Sequence, residues 1–352
     1  MEMKIAIDTS PLKTAHRYRG IGIYTQNLIE ALQSIKVPDF SVQFIESGRV
    51  PYDCDLIHYP YFDFFFLTFP FKKPKPVVVT IHDCIPLVFP KNYPPGIKGK
   101  IKFTIQKLSL KGVKRIITDS ESSKKDIAKF LGVPEQKIDV IYLAAGNKVE
   151  KITDRKFLTK LALKFNLPDK FVLYVGDVNF NKNLPGLVRA CSLINIPLVI
   201  VGKQAILKEF DKKNVENQPL MEFNKLVEEK KNILRLGFVE TKELAGLYSL
   251  ASVYCQPSFY EGFGLQILEA MTCGCPVVTS NVSSLPEVAG KAALFIDPYD
   301  YRRIAEGLNK ILTEKKLREE MIKLGFEQAK RFNWEKVALE TIKVYEKILG
   351  KK

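Results

Sequence analysis

The chain has 352 residues, 46% of them apolar, and a formal net charge of +15. This length favours two domains, and the ordinary apolar fraction excludes a disordered chain. Six cysteines without a Cys-x-x-Cys pair, beside only three histidines, argue against a zinc site or a disulfide framework and favour reduced thiols in a cytosolic protein. The N-terminal residues predict a strand rather than a signal peptide, and no apolar run reaches the ~20 residues that span a membrane.

Apolar strands alternate with helical segments in the first half of the chain, as in a doubly wound α/β fold. Strands are predicted at residues 4–8, 55–59, 76–81, 115–119 and 137–142. Helices are predicted at residues 24–35 and 120–131, the second capped by Ser120 or Ser122. A loose, charged stretch over residues 145–169 is the predicted linker.

The same pattern restarts after the linker. Strands are predicted at residues 171–176, 197–202, 233–236, 253–256 and 276–279. Helices are predicted at residues 185–193 and 241–251, and the chain is mostly helical from residue 300 to about 349. Two Rossmann-like halves are therefore expected, with ligands bound at the carboxyl ends of their strands.

One segment, Pro257 to Met271, carries most of the functional information. It places Glu261 and Glu269 eight positions apart across a predicted loop-to-helix junction, at most ~12 Å along a helix axis. That span suits the sugar and the ribose of a nucleotide diphosphate sugar, with Glu261 at the sugar and Glu269, about two turns inside the helix, at the ribose hydroxyls. Amides at the helix start suit the diphosphate. They belong to Gly262, Phe263, Gly264 and Leu265. The alternative is a solvated glutamate before an amphipathic helix.

This segment resembles the Glu-x7-Glu signature of glycosyltransferase family 4, whose members are retaining sugar transferases of the GT-B fold. The resemblance continues through residues 274–280 and 285–290 and extends over nearly the whole chain. It implies two Rossmann-like doubly wound domains, at residues 1–150 and 151–334, with an interdomain cleft. It also implies a C-terminal crossover helix, residues 335–352, that packs back on the first domain.

The resemblance also implies the chemistry. A sugar is expected to move, with retention, from a nucleotide diphosphate donor to a hydroxyl of a glycan or lipid-linked acceptor. The chain is most similar to bacterial mannosyltransferases that build O-antigen or related surface polysaccharide, so GDP-mannose is the expected donor. A UDP-sugar such as UDP-glucose, a nucleotide-sugar epimerase and a catalytically weak nucleotide-binding subunit of a polysaccharide complex are the alternatives.

Matching positions extend the predicted site. Gly20 and Gly22 resemble a loop near the donor phosphates, where glycine lets backbone approach a ligand, although a simple loop before a helix is the alternative. His82 follows a strand and is expected to approach the transferring sugar as a neutral imidazole that donates one hydrogen bond and accepts another. A buried structural histidine is its alternative, and His58 is expected to pack. The backbone segment expected to contact the nucleobase comprises Gly237, Phe238 and Val239.

Residues 171–184 resemble the strand and loop that precede the family's Arg-Lys-Asn. Lys182 is present and is expected to neutralise the leaving diphosphate. Asn181 replaces the arginine, and Asp177 stands where some relatives carry arginine, so one cation of the diphosphate-binding site is missing. Candidate substitutes are Arg17, Arg19 and Lys203.

The remaining expectations concern metals and partners. Asp53 and Asp55 form an Asp-x-Asp sequence just before a predicted strand, where it is typical of a turn. The resemblance implies no metal and no cofactor beyond the donor substrate. The positive charge favours an anionic partner, but no nucleic-acid-binding motif accompanies it. The phenylalanine-rich residues 59–75 and the lysine-rich residues 97–114 predict peripheral binding to an anionic membrane, on the inner face of the plasma membrane. The alternative is a packed helix with a solvated lysine face and a buried phenylalanine loop.

Overall fold

The structure is a computed structural model that describes residues 2–14, 20–46, 51–146, 148–228, 230 and 232–350. These residues fall into two compact α/β units. The first unit comprises Met1–Pro90, Pro94–Ala144 and Phe332–Lys352. The second comprises Lys91–Tyr93 and Ala145–Arg331.

Each unit is built on a parallel six-stranded sheet formed by its described residues, with order β2-β1-β3-β4-β5-β6 in the first and β12-β11-β10-β7-β8-β9 in the second. The strands are β1 (Met3–Asp8), β2 (Phe40–Ile45), β3 (Leu56–Tyr59), β4 (Val77–Thr80), β5 (Arg115–Thr118), β6 (Ile138–Val140), β7 (Val172–Val175), β8 (Leu198–Val201), β9 (Ile233–Gly237), β10 (Val253–Gln256), β11 (Val277–Ser280) and β12 (Ala293–Ile296).

Helices connect the strands. They are α1 (Gly20–Ser34), α2 (Ile85–Val88), α3 (Gly96–Ser109), α4 (Glu121–Asp126), α5 (Arg155–Phe165), α6 (Leu184–Leu193), α7 (Gln218–Val227), α8 (Thr241–Leu250), α9 (Leu265–Thr272), α10 (Leu285–Ala289), α11 (Tyr301–Thr313), α12 (Lys315–Ala329) and α13 (Trp334–Leu349). Among the described residues, none of these helices is long and apolar enough to cross a membrane.

The central strands are apolar along their whole length because helices cover both faces of a parallel sheet. Every residue of β3, β4, β8, β10 and β11 is buried. A short polar side chain starts the helix that follows β5. The Ser120 hydroxyl accepts a hydrogen bond from the Ser123 N–H at the start of α4, as predicted. The helix predicted to run to residue 131 ends earlier, because a π-helical turn replaces it from Ile127 to Leu131.

Several elements differ from the sequence-based expectation. The predicted linker contains α5, whose Asp154 side chain accepts hydrogen bonds from two backbone amides. Its apolar residues Phe157, Leu158, Leu161 and Phe165 follow a helical spacing, but they lie among charged residues and the pattern was missed. The edge strands β2 and β12 are only partly buried and were also missed. Helix α1 begins at Gly20, four residues before the predicted start.

The C-terminal helix belongs to the first unit. The Tyr345 hydroxyl is 2.7 Å from His58 Nδ1, and the indole of Trp334 is 6.3 Å from the Tyr24 ring. Both contacts are buried, so α13 is an integral part of the first unit's core, although its sequence follows the second unit.

Candidate functional site

The Glu-x7-Glu segment leaves β10 at Gln256 and enters α9 at Leu265. Gly264 caps the helix with a φ of +104°, and a Cβ there would lie 2.9 Å from Leu285 Cδ2, so the turn requires glycine. The helix begins four residues after Glu261. Glu269 therefore lies just past the first turn of α9, and the expectation of two turns is corrected.

Glu261 is held by a complete set of donors. Lys182 Nζ lies 2.8 Å and 2.7 Å from its two carboxylate oxygens. Gln256 Nε2 donates at 2.9 Å and Ser258 Oγ at 2.6 Å. Glu261 is only 5% exposed, so these bonds are what compensate its lost hydration. The two predicted catalytic residues of the second unit thus form one ion pair.

The backbone of Glu261 is also anchored. Its N–H donates to Ser283 Oγ at 2.9 Å, and its carbonyl accepts from Ser284 Oγ at 3.0 Å. These serines precede α10 and tie it to the Glu261 loop. Sequence reasoning missed both serines as well as Gln256. The position of Gln256 at the carboxyl end of a buried strand was the signal that could have found it.

Glu269 lies on α9 in a different environment. Its carboxylate accepts a hydrogen bond of 3.0 Å from the Tyr248 hydroxyl on α8. Burial raises the pKa of Glu269 to about 7, and the bond from Tyr248 offsets part of that rise. A carboxyl group poised near neutrality can accept hydrogen bonds from hydroxyls when it is ionised. No sequence pattern pointed to Tyr248.

Asn181 is directed into the protein. Its Oδ1 accepts a 2.7 Å hydrogen bond from the Tyr93 hydroxyl, and its Nδ2 donates to the Tyr260 carbonyl at 2.9 Å. At 3% exposure it links the loop after β7 to the loop that carries Glu261. Asp177 lies four residues earlier in the same loop, and its carbonyl accepts a bond from Tyr174. Asn181 therefore shapes this loop where relatives are expected to present a cation.

The neighbouring strands β7, β8 and β9 bring a further group of predicted residues together. The N–H of Gly202 donates to the carbonyl of Gly237 at 2.8 Å. A Cβ on Gly202 would lie 2.1 Å from the Gly176 carbonyl oxygen, so only glycine allows this approach. Phe238 is exposed and Lys203 Nζ lies 5.3 Å from its ring centroid, whereas the next residue, Val239, is buried.

The first unit holds His82 just beyond β4. Its Nδ1 lies 2.7 Å from Asp119 Oδ2, and its Nε2 lies 3.2 Å from the Pro60 carbonyl. Burial disfavours the imidazolium, yet Asp119, with Asp83 and the Pro60 carbonyl, raises the net pKa of His82. Because both ring nitrogens face acceptors, the structure favours the doubly protonated ring over the expected neutral one. Asp119 follows β5, and the strand-end rule could have found it.

The other predicted positions of the first unit are also placed. Gly20 and Gly22 lie in the first turn of α1, not in a preceding loop. His58 is fully buried between Tyr345 and Thr80, and burial lowers its pKa to about 3, so it is a packing residue as expected. Arg17 and Arg19 lie outside the described residues. Within the described chain, no group of three His, Cys, Asp or Glu side chains forms a potential metal site.

Comparison with known proteins places this geometry in context. The model for Glycosyl transferases group 1 matches residues 156–328, and that for Glycosyltransferase Family 4 matches residues 43–144. The O-antigen chain mannosyltransferase B of Escherichia coli is 34% identical over 76% of this chain and 69% of that protein. The serotype-specific mannosyltransferase WbdA of Escherichia coli is 27% identical over 78% of this chain. The matched region covers only 34% of the length of WbdA.

A solved structure supports the fold. The sucrose-phosphate synthase of Thermosynechococcus elongatus is similar with a TM-score of 0.77 and 20% sequence identity, over 99% of this chain and 100% of that one. The GT-B fold class expected from the sequence is confirmed.

Proposed function

The chain belongs to glycosyltransferase family 4, and from this premise we propose that it is a retaining mannosyltransferase. The donor is GDP-mannose, and the acceptor is a hydroxyl of a glycan or of a lipid-linked glycan. The mannosyltransferases that cover more than three quarters of the chain support the choice of sugar. The observation that carries the proposal is the buried Lys182–Glu261 pair beside the start of α9.

The described contacts suggest a role for each of three residues of the second unit: Lys182, Glu261 and Glu269. Lys182 and the amides at the start of α9 neutralise charge on the departing diphosphate, where electrostatic stabilisation has its largest effect. Glu269 accepts hydrogen bonds from the ribose hydroxyls. Glu261, fixed by four side-chain bonds, contacts the transferred sugar.

The reaction needs no covalent step on the protein. The bond from the anomeric carbon to the diphosphate oxygen breaks, and the acceptor oxygen bonds to the same face of that carbon. The acceptor proton passes to the departing diphosphate oxygen. His82 of the first unit is held by Asp119 and the Pro60 carbonyl, so its proposed contribution is positive charge and not a hydrogen bond to the sugar. Because Lys182 and the helix-start amides do the work of a Lewis acid, the proposed reaction requires no divalent metal.

A nucleotide titration tests the proposal. GDP, UDP and ADP are added to the protein in EDTA and again with magnesium, and the unfolding temperature is followed, since a ligand of the native state raises it. Stabilisation by GDP without metal is expected, followed by mannose transfer with an α-linked product by NMR. Stabilisation by UDP alone would move the donor to a UDP-sugar. If no nucleotide stabilised the chain, a weakly catalytic subunit would replace the enzyme proposed here.

We also place the protein in the cytoplasm, peripheral on the inner face of the plasma membrane. What supports this location is a basic surface with exposed apolar side chains on the first unit.

A further inference from the structure

Helix α3 leaves three of its apolar side chains exposed, whereas Phe103 packs against Phe64 and Phe65. The residues that it buries are small or polar: Gly99, Gln106 and Ser109. By contrast Ile97, Ile101 and Leu108 are 81%, 58% and 44% exposed, and they share one face at the spacing i, i+4, i+11. A surface helix ordinarily buries its apolar face, so this orientation calls for a partner that is not water.

The phenylalanine-rich loop extends the same surface. Phe62, Phe64 and Phe69 are buried and anchor the loop, whereas three apolar side chains of the loop are about 60% exposed. These are Phe66, Leu67 and Phe71. The loop is therefore neither wholly buried nor wholly exposed, so the expectation of a buried phenylalanine loop holds only for part of it.

Hydrogen bonds and a cation–π contact join the loop to the helix. Gln106 Nε2 donates to the Asp63 carbonyl at 2.9 Å and lies 3.2 Å from the Thr68 hydroxyl. Lys102 Nζ lies 4.9 Å from the centroid of the Phe66 ring. We call the exposed apolar set the apolar platform. Its members are Phe66, Leu67, Phe71, Ile97, Ile101 and Leu108.

The charge around the apolar platform is predominantly positive. From residue 63 to residue 119 the chain carries eleven Lys and Arg residues and three carboxylates, Asp63, Asp83 and Asp119. At ~100° per residue, Lys98 and Lys102 flank the apolar face of α3 on one side, and Lys100 and Lys107 flank it on the other, although Lys107 Nζ donates to the Phe130 carbonyl. Lys111 follows in the turn after the helix. Lysine stems cover apolar surface while their ammonium groups reach outward.

A cavity of about 690 Å³ lies beside the same helix. Apolar side chains such as Phe103, Leu108 and Leu131 line it, together with Lys111 and Lys137, and its lining contains no carboxylate. An apolar surface and groove with a predominantly basic border match the boundary between acyl chains and phosphate headgroups. An acidic protein partner would match the charge alone.

We propose that the apolar platform docks on a bilayer that contains anionic phospholipids. Its apolar side chains enter the headgroup region and the flanking lysines pair with lipid phosphates. This deepens the proposed function, because a lipid-linked acceptor resides at such a surface. Vesicle binding requires neither donor nor acceptor, so either proposal can fail without the other.

The test is co-sedimentation of the full chain with vesicles of phosphatidylcholine alone and of equal parts phosphatidylcholine and phosphatidylglycerol. The platform variant is Ile97→Asn/Ile101→Asn. Its matched control is Leu163→Asn/Leu193→Asn in the second unit, where the two leucines are 76% and 58% exposed. The charge variant is Lys98→Gln/Lys100→Gln, with Lys212→Gln/Lys213→Gln as its control. Thermal unfolding verifies that each variant is folded.

We expect binding to the mixed vesicles and at least tenfold weaker binding to phosphatidylcholine alone. The charge variant should lose roughly 25-fold in partitioning, about fivefold for each lysine. The platform variant should lose tenfold or more, and both controls should bind like the wild type. Equal binding by the platform variant and its control would overturn the proposal. An absence of vesicle binding would also overturn it. If the chain instead self-associated and the platform variant abolished that self-association, this face would be assigned to contact with a second copy of the chain.

Discussion

The ammonium group of Lys182 lies within 2.8 Å of both carboxylate oxygens of Glu261, inside a loop where the glutamate is almost wholly buried. The two residues come from different strand ends, 79 positions apart in the chain. A buried pair of this kind makes each partner dependent on the other, because an unpaired charge would remain if either were removed.

Replacing Lys182 therefore has two separable effects. Lys182→Ala should lower the free energy of unfolding by about 3 kcal/mol, since Glu261 is left buried and unpaired. It should also reduce mannose transfer by roughly 100- to 1000-fold through lost stabilisation of the diphosphate. Adding Glu261→Gln should restore most of the stability and none of the activity. Urea denaturation and a transfer assay measure the two effects.

A surface ion pair provides the control. Lys164 pairs with Glu243 on the exposed side of α5 and α8, so Lys164→Ala should change stability by less than about 1 kcal/mol. A loss at Lys182 no larger than that at Lys164 would contradict the buried-pair interpretation.

Glu269 should give the protein a pH dependence near neutrality. Its pKa is about 7 in the folded chain against 4.5 for an unperturbed glutamate, so between these values the folded state holds the extra proton. Stability is therefore lost as pH rises from about 4.5 to 7, by about 3 kcal/mol at most. Glu269→Gln should abolish this slope, which denaturation at a series of pH values measures.

The same titration predicts the pH dependence of nucleotide binding. The ionised carboxylate accepts ribose hydroxyls, so affinity for the stabilising nucleotide should rise through pH 7 in the wild type and less in Glu269→Gln. The nucleotide phosphate also titrates in this range, but its effect on affinity is the same for both proteins and drops out of the comparison. Calorimetry at pH 6 and pH 8 distinguishes the cases, and identical pH profiles would remove Glu269 from the ribose site.

Asp119 should act as a positioning residue for His82. Asp119→Asn removes the charge that raises the pKa of His82, so the pKa of His82 should fall. Because that pKa is raised by folding, its contribution to stability is present below about pH 6.5 and is lost as pH rises through the folded value. NMR of the imidazole protons follows the change. His58, with a pKa of about 3, should remain neutral from pH 5 to 8 as an internal reference.

The pH profile of transfer separates positioning from a merely structural role. If His82 acts as an imidazolium, the alkaline limb of the profile should move to lower pH in Asp119→Asn. An unshifted profile with reduced stability would leave Asp119 as a packing residue only.

Restoring the arginine expected from relatives should fail at position 181. Asn181 is buried and bonded to Tyr93 and Tyr260, so Asn181→Arg should overpack the loop and cost about 1 to 3 kcal/mol without tighter nucleotide binding. Tyr93→Phe removes the bond to Asn181 Oδ1 and the long 3.4 Å bond from the Asn181 N–H, and it should cost about 1 kcal/mol. Thermal unfolding with and without nucleotide checks both, and tighter binding by Asn181→Arg would show that a cation belongs there.

Much of this protein could be inferred from local patterns. Buried strands of a parallel sheet are continuous apolar runs, so β4 and β10 were visible in the sequence, whereas the half-exposed β2 and the charged α5 were not. The Glu-x7-Glu spacing located the site because a loop, a glycine cap and a helix are all local features. Lys182 was found in the same way, from the segment around it.

Partners were decided by the tertiary structure. Nothing local to Lys182 indicates that it pairs with Glu261. No sequence pattern shows that Asp119 contacts His82 or that the Tyr248 hydroxyl donates to Glu269. These contacts join residues at least 21 positions apart, brought together by parallel strand ends and by packed helices. The outward orientation of α3 was hidden for the same reason. Helical periodicity identifies an apolar face, and only the packing of Gly99, Gln106 and Ser109 against the first unit determines that this face remains outside.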